Sequence, residues 1–160
     1  MGPGDLRREF DYTAAVYGSV LVTALVGATF EAELDARTMT LTLLTTTLVF
    51  WLAHVWSEVM GVRLSGTMPL WNDVRRVAVS EWPIVEAGFV PDALLALAWA
   101  GVYSRDTGAE LAMIAAVLQL AAWGFAAGWR TQHHLAPAIV TGAVDCAFGL
   151  AIVGLEVAIH

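Results

Sequence analysis

Charge is the first thing this chain has little of. Asp, Glu, Lys and Arg make up only 14% of its 160 residues, where a soluble domain carries about 25%. Basic residues are the scarcer sign, eight against fifteen acids, for a formal charge of −7. Nucleic acid needs a cationic face, so this balance argues against nucleic acid as a partner. Cysteine is almost missing too. Cys146 stands alone in an apolar run, which excludes an intrachain disulfide and makes it a small buried hydrophobe. The G-x-S-x-G, P-loop and H-E-x-x-H signatures are absent. No linker, low-complexity tract or short repeat divides the chain, so residues 1–160 read as one domain.

What is present is apolar. Hydrophobic residues make up 58% of the chain, and the mean hydropathy is +0.67. A domain this small cannot bury so large an apolar fraction in its own core. Runs over 12–30, 38–61, 83–103, 109–129 and 135–159 are each long enough to span a bilayer. The first resembles a signal sequence, but it is longer than a typical one and has no clean A-x-A site after it. The expected fold is therefore an all-α membrane protein with five transmembrane helices.

Between the second and third spans the pattern changes. Ser65, Gly66 and Pro69 mark a turn. Leu70, Trp71, Val74, Val77 and Ala78 then recur at helical spacing, with Asn72, Asp73, Arg75 and Arg76 opposite. This predicts a short amphipathic interfacial helix over 69–79, lying at the headgroup level on the cytoplasmic side. With five spans, Arg7, Arg8, Arg63, Arg75, Arg76 and Arg130 fall on one side, and Arg37 and Arg105 on the other. The positive-inside rule then puts the N-terminus in the cytoplasm and the C-terminus outside, as a multi-pass protein of the cell membrane.

The candidate chemistry lies in ionisable residues within the spans. His54 and Glu58 are four residues apart, so on a helix they share one face. Glu86 lies one turn into the third span. Asp92 follows Pro91, where a missing N–H frees a backbone carbonyl. Asp145 shares a stripe with Gly142, Gly149, Ile152 and Glu156 and so faces a closely packed neighbour. Such groups are costly in lipid and usually face a bundle interior or a water-filled path. Imidazole with carboxylates suits a first-row divalent metal, and the same groups can relay protons. His54, Glu58, Glu86, Asp92 and Asp145 are thus the expected metal ligands of a cation or proton path. Six threonines on the second span (Thr38, Thr40, Thr42, Thr45, Thr46, Thr47) need no site, since each can bond back to its own helix. His133-His134 reads as a solvated turn. Gly124 and Gly128 stand in G-x-x-x-G spacing, a mark of helix contact that also arises by chance.

The layout resembles the vacuolar iron transporter family. It has five spans, a cytoplasmic N-terminus and one long cytoplasmic insertion between spans two and three. Tyr17-Gly-Ser-Val-Leu-Val-Thr-Ala24 is similar to that family's first span. Ala53-His-Val-Trp-Ser-Glu-Val-Met-Gly-Val62 resembles the end of its second, with His54 and Glu58 at the spacing of the family's Met and Glu. The family's first-span Asp has no counterpart near Tyr17 to Ser19, and the insertion, over 62–82, holds few acids where the family's is a longer Glu-rich helical domain. The resemblance implies proton-coupled transport of divalent iron or manganese at a dimer interface. Histidine in place of the Met shifts the preference toward zinc or manganese.

The expectation is a small transporter or channel for a cation, most simply a divalent metal of the iron, manganese or zinc type, with protons as coupling ion. The metal would be substrate rather than resident cofactor. The bilayer and a second copy, in a homodimer, are the expected partners. The alternative is a non-transporting membrane module: a partner subunit, lipid-binding protein or scaffold. No nucleophile is identifiable, so an intramembrane acid/base enzyme built on His54 and Glu58 ranks below both.

Overall fold

The computed structural model describes residues 12–64 and 70–159. Arg7, Arg8, Ser65, Gly66, Pro69 and His160 lie outside the described residues, as does the side chain of Glu156. Six helices and no strand occur among the described residues: α1 (Tyr12–Glu31), α2 (Ala36–Leu64), α3 (Trp71–Ser80), α4 (Pro83–Trp99), α5 (Arg105–Gln132) and α6 (Leu135–Ile159). Four of them, α1, α2, α5 and α6, are long and apolar enough to cross a membrane. Large apolar side chains stand open on the outside, among them Leu52, Leu118, Ile139 and Phe148. Lipid is the solvent in which such a surface is stable. The chain is an all-α membrane protein.

The third span departs from expectation. The apolar run continues to Tyr103, yet α4 stops at Trp99. Gly101 adopts φ 81°, its N–H donates to Ala98 O, and the Val102 N–H donates to Leu97 O. This left-handed glycine cap ends the helix one turn early. Seventeen residues give about 25 Å of helix, at the short limit for a span. Helix α3 precedes α4 with a bend of 43°, so the two can also be taken together as one broken span. The interfacial helix predicted over 69–79 is α3, displaced by a residue or two.

The helix starts follow local chemistry. Asp35 caps α2, accepting from the Thr38 N–H at 2.9 Å. Ser104 caps α5, accepting from Thr107 N–H at 3.2 Å. Pro83 opens α4, where its missing N–H costs nothing. Arg105 fastens the start of α5 to the end of α1. It donates to Leu34 O at 2.9 Å and to Phe30 O at 2.6 Å, and its guanidinium lies 4.8 Å from the centre of the Phe30 ring.

Helix α1 is the hub, packed by α2, α4, α5 and α6. The apolar core lies where α1, α2, α4 and α5 meet, around Val22, Val26, Met39, Leu43, Leu95 and Ala112. Helix α6 packs mainly on α5 and secondarily on α1. Close approach depends on small residues. A Cβ at Gly18 would lie 2.8 Å from Ile84 Cα, which places the backbones of α1 and α4 nearly in contact. Gly124 and Gly128 both face α6, so the G-x-x-x-G pair is a real helix contact.

Candidate functional site

The polar interior comes from short side chains that satisfy themselves. Ser19, Thr23, Thr40 and Thr47 are buried, and each hydroxyl donates to the carbonyl four residues earlier, at 2.8–2.9 Å. Thr40 and Thr47 thus spend their hydroxyls within α2, as the threonine-rich sequence suggested. They line the core with their donor protons already used inside their own helices.

Around Pro91 the interior becomes less self-sufficient. Helix α4 continues through this proline without ending. Residue 91 has no N–H to give to the Ala87 carbonyl. Gln119 on α5 supplies the donor instead, its Nε2 lying 3.2 Å from Ala87 O. Gln119 was missed by the sequence reading. Its signal was available, as the one amide in the long apolar run of the fourth span. Next to the repaired break lies Asp92. Its side chain is half-buried, and its Oδ1 is shielded from solvent with no hydrogen-bond partner. A buried carboxylate oxygen left this way is costly, and costlier in lipid.

The other candidates occupy separate places. His54 is half-buried, with its Nδ1 3.1 Å from Phe50 O. A carbonyl only accepts, so Nδ1 carries the proton, and in the neutral ring Nε2 keeps its lone pair. The imidazole lies 4.7 Å from the Tyr17 ring of α1, centre to centre. Glu58, one turn on, is exposed rather than turned into the bundle. Glu86 is half-buried near the start of α4. Asp145 faces α5, where Gly124 makes room for its carboxylate; a methyl group at Gly124 would overlap it. Beside it, Thr141 donates across to Gly124 O at 2.8 Å. His133 and His134 are exposed, with His133 ending α5 at φ 51°.

The five expected ligands are therefore spread over α2, α4 and α6. Among the described residues, no three His, Cys, Asp or Glu side chains gather as a metal ion would require. One subunit does not join His54, Glu58, Glu86, Asp92 and Asp145 into a single centre. Glu58 is displaced because α2 turns Val55 and Val59 inward, leaving its own position outward. What the fold does bring together is the Ala87 carbonyl freed by Pro91 and the Gln119 amide, while Asp92 follows the proline in the chain with its Oδ1 shielded. Comparison with family models, with curated proteins and with solved structures returns no match for this chain.

Proposed function

We propose that the protein moves a cation across the membrane, with Asp92 as the carboxylate that takes up and releases it or its counter-transported proton. The observation that carries this reading is the shielded, unpartnered Oδ1 of Asp92 beside the Pro91 break. A carboxyl group in that position is stabilised by a proton or a cation, and exchanging one for the other is the elementary step of a coupled carrier. A proton is the simplest ion for a single carboxyl. A divalent metal would need more ligands than Asp92 alone, and a homodimer would offer the His54 and Glu58 of a second copy as candidates. The remote resemblance to vacuolar iron transporters supports that homodimeric form. The arginine distribution, six on one side and two on the other, supports an N-terminus in the cytoplasm.

Flux into proteoliposomes tests it, with Mn²⁺, Fe²⁺, Zn²⁺ and H⁺ offered in turn. Asp92→Asn removes the ionisable group while keeping its size, and it is expected to lower flux at least about tenfold, the effect of losing roughly 1.4 kcal/mol of coupling. Wild-type flux from Asp92→Asn would refute the assignment. A second reading, a non-transporting partner or scaffold module, is favoured by the dispersal of the five candidate ligands. Folded wild-type protein that passes none of the four ions would select it.

A further inference from the structure

Helix α3 is ten residues long and contains no buried residue. So short a helix is marginal on its own in water, and helices in proteins are held mainly by packing. Its tertiary support is α2, where Trp51 Nε1 donates to Ala78 O at 2.9 Å. Trp51 also meets Trp82, just after α3, edge to face at 5.4 Å. The opposite end of the helix is open: Leu70 is 70% exposed and Trp71 78% exposed. In a membrane protein such side chains are stable at the lipid interface.

The charges beside them are unevenly used. Asp73 accepts from the Leu70 N–H at 3.0 Å and pairs with Arg76 at 3.2 Å. Arg75 follows Trp71 by one helical turn and so borders the same apolar edge. Arg75 and Arg63, at the end of α2, are exposed and hold no ion pair among the described residues. An indole with a neighbouring free guanidinium, on a helix bent 43° from the following one, suits the boundary of a bilayer. We propose that α3 is a phospholipid-binding element: Trp71 and Leu70 enter the interface, Arg75 beside them attracts the phosphate of an anionic lipid, and Arg63 at the end of α2 adds to the positive charge there. This site is separate from Asp92 and stands whether or not the protein carries ions.

The full-length protein is extracted from vesicles that mix phosphatidylglycerol with phosphatidylcholine. Retained lipid is then identified by mass spectrometry of the intact complex. Phosphatidylglycerol should be enriched over its bulk share by roughly fivefold for each arginine. The double variant Arg63→Gln with Arg75→Gln should lose that enrichment, and the corresponding double Lys variant should keep most of it. An unenriched wild type, or equal enrichment in the double Gln variant, overturns the proposal. Brominated lipids give an independent readout. Trp71→Phe should remove part of the tryptophan quenching, and unchanged quenching would also overturn it.

Discussion

Replacing Gln119 by Leu isolates the repair at Pro91. The Ala87 carbonyl lies in a residue that is 1% exposed, and its helical donor is missing at position 91. Gln119 provides the substitute at 3.2 Å. A net hydrogen bond is worth about 1 kcal/mol, and a buried carbonyl left unpaired costs about 1–3 kcal/mol. Interhelical polar contacts in membranes measure lower, averaging about 0.6 kcal/mol with a maximum near 1.7. Gln119→Leu should therefore cost about 1–2 kcal/mol. The decisive arm is the same substitution in a Pro91→Ala background. Alanine restores an N–H that can serve Ala87 O, so Gln119→Leu should there cost less than about 0.5 kcal/mol. The volume lost with the proline ring is common to both arms and cancels in the cycle. Equilibrium unfolding in mixed dodecyl maltoside and dodecyl sulfate micelles, followed by helicity, supplies the four free energies. An equal cost in both backgrounds would refute the reasoning, since Gln119 would then not be compensating for proline.

Other perturbations follow from the same geometry. Gly18→Ala places a Cβ 2.8 Å from Ile84 Cα and 2.9 Å from Ile84 O, both backbone atoms that can yield only if the helices separate. A loss of about 1–3 kcal/mol is expected in the same assay. Gly154→Ala meets nothing within 4 Å and should be neutral or slightly stabilising, so equal effects would contradict the packing argument. Arg105→Gln should cost about 2–3 kcal/mol through its lost carbonyl contacts at Leu34 and Phe30, and Arg105→Lys should recover under half, because one ammonium does not reproduce the guanidinium fork. Full rescue by Lys would show that charge alone matters. Hydrogen bonding from Thr38, hydroxyl first and backbone N–H second, holds the Asp35 carboxyl below its ordinary value of 3.8. Its contribution is complete above that value and is lost as pH falls through the lowered value of the folded state. The melting temperature of wild type should therefore drop more than that of Asp35→Ala on strong acidification, and parallel pH profiles would exclude the cap.

Several features could be read directly from the chain. The apolar runs set the helices, because in a bilayer every backbone polar group must be satisfied within its own segment. The spacing of Trp71, Val74 and Ala78 marked α3, and Pro91 announced a carbonyl in need of a donor. Gly124 and Gly128 pointed to a contact, although their partner was not visible. The end of α4 was harder to place. The apolar run passes through Gly101 without a break in hydropathy, and only its backbone conformation stops the helix at Trp99.

Tertiary packing decided the rest. Sequence alone determined that this chain crosses a membrane as helices and that a few ionisable groups travel with them. It could not determine which of those groups meet. In water, the apolar face of a helix must turn inward, so the pattern itself orients the helix. In lipid, an outward apolar face is equally content, and rotation about each axis is set by close approach and by hydrogen bonds between helices. Contacts such as Gly18 against Ile84, Gly124 against Asp145 and Gln119 on Ala87 fix those rotations. They leave Glu58 facing outward, set Asp145 against α5, and shield the Asp92 oxygen without a partner.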